Sequence, residues 1–157
     1  MREVSTEEII KNIKEMCIEA NYTLSDDVKN KIINSAAVEE SEIGKKILNQ
    51  LEENMNIADS DNIPICQDTG MAVIFIKIGQ DVHITGGNLE DAINQGVREG
   101  YIEGYLRKSV VKDPIIRENT KDNTPAVIHY EIIPGDKIEI TVAPKGFGSE
   151  NMSRVCM

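Results

Sequence analysis

Apolar residues recur at helical spacing through the first sixty positions. Ile9, Ile10, Ile13, Met16, Cys17 and Ala20 fall on one face and predict a first helix. Ser5-Thr6-Glu7-Glu8 stands ahead of it as a capping box, with Ser5 as N-cap and Glu8 three residues on. Ser25 opens a second helix whose Val28, Ile32, Ile33 and Ala36 point inward. A third begins at about Ser41, with Ile43, Ile47, Leu48, Leu51 and Met55 as its stripe. That pattern stops at Asp59-Ser60-Asp61-Asn62, a polar loop.

Strand signals follow. Met71-Ala72-Val73-Ile74-Phe75-Ile76 is rich in β-branched and aromatic residues and predicts a buried strand ending near Gly79. Val82-His83-Ile84-Thr85 predicts a short second strand, and Gly86-Gly87-Asn88 interrupts the chain. Leu89, Ala92, Ile93, Val97, Tyr101 and Tyr105 then define a long amphipathic helix, about Leu89 to Leu106. The stretch from Asp113 to Pro125 is dense in turn formers. Two further strands, Ala126 to Ile133 and Lys137 to Val142, flank Pro134-Gly135-Asp136 and predict a hairpin. The fold class is mixed α/β in one domain over 1–157. N-terminal helices precede a mixed or antiparallel sheet with a long amphipathic helix, and no doubly wound parallel sheet is expected.

Charge narrows the functions available. With a formal net charge of −10 over 157 residues, the chain lacks the footprint of a nucleic-acid binder. An acidic protein that takes a dianion must gather its few cations locally, which draws interest to Arg107, Arg117 and Lys145. The three cysteines form no CxxC pair and no disulfide framework, as fits reduced thiols in the cytoplasm. No apolar stretch approaches membrane-spanning length, and the N-terminus lacks a signal-peptide pattern. Cys17 lies in a helical stripe and reads as a small core hydrophobe; Met55 and Met152 read as packing residues. His83 and His129 read as strand residues, and Glu7-Glu8, Glu39-Glu40 and Glu52-Glu53 as solvated faces.

The segment with most chemistry is Pro64-Ile65-Cys66-Gln67-Asp68-Thr69-Gly70, a thiol, an amide, a carboxylate and a hydroxyl in one turn ahead of a strand. A rigid strand can hold such groups in fixed positions. By spacing alone, a polar loop with one unimportant thiol fits as well. Two more segments stand beside it: Pro144-Lys145-Gly146-Phe147-Gly148-Ser149-Glu150-Asn151-Met152-Ser153, and the polar run from Asp113 through Asn123 to Ala126.

Together these three segments resemble the class I fumarases, the iron–sulfur hydro-lyases of the fumarate and tartrate dehydratase family. The likeness is to the start of that family's α unit and covers nearly the whole chain. It implies reversible hydration of fumarate to malate, with a [4Fe–4S] cluster whose open iron acts as a Lewis acid. On that resemblance Cys66 is a cluster ligand. Gln67 and Asp68 point into the site and contact substrate, and Asp68 is a candidate for proton handling. Arg107 matches a carboxylate-binding position; its planar fork suits that task, although a cation near a helix end is also favoured by the helix dipole. Gly146 and Gly148 let the backbone approach substrate, with N–H groups forming an anion-binding concavity. Arg117, Asn119, Thr120, Asp122 and Asn123 either line the same cleft or stitch the long loop together.

Cys156 matches no ligand position, and the family's α unit continues past the Gly-Ser-Glu-Asn element. The expectation is the front portion of a longer subunit, inactive alone. It would be completed by a β subunit or a downstream domain and inclined to homo- or hetero-oligomers through uncovered apolar surface. The alternatives are the α subunit of a tartrate or related hydroxy-dicarboxylate dehydratase, and a non-catalytic binding or assembly module that kept the fold.

Overall fold

The computed structural model describes residues 1–148, 151 and 153–157. The packing role expected of Met152, and Ser149 and Glu150 of the glycine-rich segment, lie outside the described residues. The elements run β1 (Arg2–Ser5), α1 (Thr6–Tyr22), α2 (Asp26–Val38), α3 (Glu42–Asp61), β2 (Met71–Gly79), β3 (Val82–Thr85), α4 (Leu89–Glu103), β4 (Val127–Ile133) and β5 (Ile138–Lys145). The mixed α/β class expected from the pattern is the class observed. The chain divides into two compact units, Met1–Ile18 with Gln67–Met157, and Glu19–Cys66.

In the first unit, β2 is the central strand of a three-stranded sheet ordered β4-β2-β5. It runs parallel to β4, pairing Val73 with Val127, and antiparallel to β5, pairing Ile74 with Val142. Alternate β2 residues Ala72, Ile74 and Ile76 are buried, as a strand with one covered face requires. β4 and β5 are therefore not hairpin partners, contrary to the turn signal. The 133–137 connection instead crosses the end of β2, where the N–H groups of Gly79, Gln80 and Asp81 donate to the carbonyls of Lys137, Ile133 and Gly135. A Cβ on Gly79 would lie 2.3 Å from the Gly135 oxygen, so only glycine admits that crossing. The most apolar strand takes the centre because both of its edges are then paired.

A short strand not evident in the sequence precedes α1. β1 pairs in parallel with β3, Val4 opposite Ile84; four residues with one buried apolar side chain are too few to show a period. The capping box forms, with the Glu8 N–H donating to Ser5 Oγ at 3.2 Å. Within this unit α4 lies close against the first part of α1. A Cβ on Gly96 would meet the Ile10 carbonyl oxygen at 2.8 Å, and one on Gly100 would meet Cys17 Cβ at 2.9 Å. Ile9, Ile13, Cys17, Ile93, Val97 and Tyr101 are buried there. Burying each large aliphatic side chain contributes roughly 1.5–3 kcal/mol.

The second unit contains the end of α1 with α2 and α3. Ser41 caps α3, accepting the Gly44 N–H at 3.3 Å. Ser25 occupies the N-cap of α2 without a side-chain capping bond. The inward stripe expected of α2 is corrected: none of its residues is buried, and Val28 and Ile33 are exposed. On α3 only Met55 and Ala58 are buried, whereas Ile43, Ile47 and Leu51 are exposed. Periodicity identifies an apolar face but not whether anything covers it. α3 also runs through the expected loop to Asp61 and stops at Asn62, left-handed with φ 52°.

Candidate functional site

The turn Gln67 to Gly70 leads directly into β2 and is fastened by side chains from three directions. Thr69 Oγ1 accepts the Arg107 N–H at 2.9 Å and donates to the Arg107 carbonyl at 3.2 Å. The Tyr101 hydroxyl, from the buried face of α4, donates to the Thr69 carbonyl at 2.9 Å. The Asn123 amide, completely buried, donates to the Gly70 carbonyl at 3.1 Å. Its oxygen accepts the N–H groups of Ser109 at 2.7 Å and Val110 at 3.1 Å. Buried polar groups satisfied in this way rigidify the segments they join. Gly70 is left-handed at φ +60°, and a Cβ there would lie 1.9 Å from the Lys145 carbonyl oxygen.

Asp68 joins this turn to the glycine-rich segment. Its Oδ2 accepts the N–H of Phe147 at 2.8 Å and of Gly148 at 3.0 Å. The two amides form an anion-binding concavity at Phe147 and Gly148 rather than at the expected Gly146 and Gly148, and the anion that they hold here is the Asp68 carboxylate. A Cβ on Gly146 would stand 3.1 Å from that same oxygen, so glycine permits the close approach; at Gly148 the distance is an ordinary 3.7 Å. Lys145 Nζ donates to the Gly146 carbonyl and lies 5.8 Å from the centre of the Phe147 ring.

Cys66 is exposed and is the last residue of the 19–66 unit; Gln67 begins the next stretch of the other. The backbone ahead of the thiol is anchored at Ile65, whose N–H donates to the Asn21 carbonyl at 3.0 Å and whose carbonyl accepts from Asn54 Nδ2 at 2.9 Å. Cys17 is unsuited to ligation, because burial pushes its thiol up to about 12 and favours the neutral form. Cys156 is exposed near the chain end. Among the described residues, no three His, Cys, Asp or Glu side chains are grouped so as to hold a metal ion.

Arg107 has an exposed side chain on a backbone pinned at both its N–H and its carbonyl by Thr69. The long loop behind it is stitched by its own polar residues. Asn119 Nδ2 donates to the Lys108 carbonyl, the Thr120 N–H to the Val110 carbonyl, and Arg117 Nε to the Pro114 carbonyl. Asp122 accepts from Arg98 Nε at 2.9 Å and from Thr124 Oγ1 at 2.8 Å. Stitching is thus what the contacts of Asn119, Thr120, Asp122 and Asn123 account for. His129 stacks on Phe75 with ring centres 4.9 Å apart. Sequence reasoning missed Thr69 and Tyr101 as hubs. Tyr101 carries a detectable signal, a hydroxyl on a largely apolar stripe that needs a partner once buried; Tyr105, expected on the same stripe, lies past α4 and is exposed. A separate cleft of about 270 Å³, lined by Arg2, Val4, Glu8, Ile9, Asn12, Met16, Ile138 and Ile140, includes none of these residues.

Comparison with known proteins gives this arrangement a relationship. Residues 10–157 match the fumarate hydratase (Fumerase) family. The chain belongs to that family. It is 38% identical over 151 residues to a Methanocaldococcus jannaschii protein provisionally named an L(+)-tartrate dehydratase α subunit, covering 92% of this chain and 53% of the relative. The Escherichia coli O157:H7 L(+)-tartrate dehydratase α subunit is 33% identical over 158 residues, covering 94% of this chain and 51% of the relative. The anaerobic class I fumarate hydratase of Escherichia coli K12 is 40% identical over 115 residues, covering 72% of this chain and 21% of the relative. The chain thus spans about half the length of the tartrate dehydratase subunits and about a fifth of the fumarate hydratase. These relatives are hydro-lyases by name. No described helix is long and apolar enough to cross a membrane.

Proposed function

We propose that this chain is the front portion of an iron–sulfur hydro-lyase α unit, acting in the cytoplasm on a four-carbon dicarboxylate. Reversible hydration of fumarate to malate is the first reading. The observation that carries it is the fastening of three segments at one turn. Asp68 holds the Phe147 and Gly148 amides, Thr69 holds the Arg107 backbone, and Asn123 holds the Gly70 carbonyl. The residue types suit the reaction, since hydration beside a carboxylate needs a cationic clamp, a proton-handling group and stabilisation of developing negative charge.

The donor set fits a cluster in part. Cys66 is an accessible thiol at the head of the turn and suits a thiolate ligand, whereas Cys17 does not. One thiol cannot complete a cluster site, so the remaining ligands belong to a downstream segment or a β subunit. When bound, a [4Fe–4S] cluster with an open iron supplies a Lewis acid. The chain's own residues do the rest. Arg107 grips a substrate carboxylate with two parallel hydrogen bonds, and the Gln67 amide orients the substrate. Asp68 handles the proton and keeps Gly146 and Gly148 close to the turn, so that the backbone approaches the substrate there.

Tartrate dehydration is the second reading. It is favoured by the length of the match, 92% and 94% of this chain against the tartrate dehydratase subunits and 72% against the fumarate hydratase. The test uses the complete α unit assembled anaerobically with its β partner, assayed in parallel on fumarate and L-tartrate. Arg107→Lys keeps charge but loses the fork, so kcat/KM for the preferred substrate should fall at least roughly tenfold, about 1.4 kcal/mol. Iron content should not change. Near-normal kinetics for Arg107→Lys would remove Arg107 from the site, and activity on neither substrate would remove the reading itself.

A further inference from the structure

We infer that Thr69 and Asn123 are positioning residues that fasten the Arg107 backbone to the Gln67–Gly70 turn, and so hold the carboxylate clamp in place beside Gln67 and Asp68. The inference rests on the reading of Arg107 as the carboxylate clamp. Arg107 follows α4 in an irregular stretch, with Tyr105 left-handed at φ 51°. Such a stretch lies outside any named helix or strand, and its backbone groups must find other partners. Apart from one isolated bridge, Val111 to Asn119, they find mainly side chains. Thr69 Oγ1 holds the N–H and carbonyl of Arg107, Asn119 holds the carbonyl of Lys108, and Asn123 Oδ1 holds the N–H groups of Ser109 and Val110. Thr120 takes the Val110 carbonyl through its own N–H at 3.0 Å.

The same two residues reach the turn on the other side. Thr69 is part of it, and Asn123 Nδ2 holds the Gly70 carbonyl. Thr69 is 3% exposed and Asn123 0%, so neither can touch substrate and both act through what they hold. Asn123 is also left-handed at φ 63°, a conformation that asparagine tolerates better than most residues. A long arginine side chain finds a carboxylate only as reliably as its Cα is held. Misplacement by about 1 Å can cost on the order of a hundredfold in rate.

The test uses the complete, cluster-loaded enzyme and the substrate that it turns over. Thr69→Val keeps the shape and removes the hydroxyl; kcat/KM should fall roughly ten- to a hundredfold, while Thr69→Ser should restore most of it. A residue that acts through Arg107 loses its effect once Arg107 is gone. The double variant Thr69→Val/Arg107→Ala should therefore be no worse than Arg107→Ala, whereas a merely structural loss would add to it. In amide exchange, Thr69→Val should release the Arg107 N–H, and Asn123→Ala those of Ser109 and Val110, with α4 still protected. Full activity of Thr69→Val beside a crippled Arg107→Ala would overturn the inference and leave Arg107 as the clamp. Additive losses in the double variant would overturn it too. Full activity of both single variants would overturn the inference together with the reading of Arg107.

Discussion

Gly96→Ala sets two effects of known size against each other. Alanine is favoured over glycine inside a helix by about 1 kcal/mol, and Gly96 lies in the middle of α4. Propensity alone therefore predicts stabilisation. The packing predicts the reverse. The new methyl would stand 2.8 Å from the Ile10 carbonyl oxygen and 2.9 Å from Ile13 Cβ. Neither atom is the tip of a flexible side chain, so one helix must move off the other. Overpacking of this kind costs about 1–3 kcal/mol, and contact with backbone puts this case at the upper end, near ~3 kcal/mol. The net expectation is a loss of about 2 kcal/mol, or roughly 4–8 °C in Tm for a chain of this length. Thermal and urea unfolding of the chain measure it, with the exposed Gln95→Ala on the same helix as a control within about 0.5 kcal/mol. Because α4 carries Tyr101, the shift should also loosen the bond from its hydroxyl to Thr69. A Gly96→Ala chain as stable as the parent, or more so, would refute the close approach of the two helices.

Other consequences can be checked on the same chain. Iodoacetamide at mildly alkaline pH should label Cys66 and Cys156 rapidly and Cys17 only after unfolding, since the first two are exposed and burial holds Cys17 as the thiol. Burial pushes the Asp122 carboxyl up, but the bonds from Arg98 and Thr124 outweigh it and leave it below its ordinary 3.8. A carboxyl lowered in the folded state adds stability above that value, and the contribution fades as pH falls below it through the folded value. Arg98→Ala should accordingly raise the Asp122 midpoint in an NMR titration; an unchanged midpoint would dismiss the ion pair. Asp68→Asn keeps an acceptor but loses the charge that the Phe147 and Gly148 amides bind. It should speed exchange of both amides while leaving those of β2 unchanged.

Much of the fold was legible because burial imposes a period. The stripe on α4 follows from one covered face as far as Tyr101, although Tyr105, expected on it, lies past the helix end and is exposed. The Ser5 cap was legible from its own hydrogen-bonding chemistry, and β2 from its apolar β-branched run, whose outer face at Phe75 is nevertheless exposed. Strand order was not legible. Pro134-Gly135-Asp136 carries the chemistry of a tight turn, yet nothing local states that β2 lies between the strands it connects. Nor does an apolar stripe state that it is covered, as Val28, Ile33 and Ile47 demonstrate. Of the candidate site, Asp68 and Gly146 stood out because reactive side chains and glycines were crowded into short turns. Asn123 reads with its neighbours as lining a cleft or stitching the loop, with nothing local to choose between the two. Its role comes from partners more than ten positions away along the chain, at Gly70, Ser109 and Val110. Local pattern carries no trace of such long-range hydrogen bonds.

The central claim is that Cys66 ligates an iron–sulfur cluster in a working hydro-lyase. Iron and sulfide content, read beside turnover, tests it most directly. The complete α unit should be assembled with its β partner under anaerobic conditions, once as the parent, once as Cys66→Ser and once as Cys156→Ser. The account predicts that Cys66→Ser loses the brown absorbance, the stoichiometric iron and sulfide, and the hydration of fumarate or dehydration of tartrate together. Cys156→Ser should keep all three. A Cys66→Ser enzyme with full cluster content and full turnover would contradict the account.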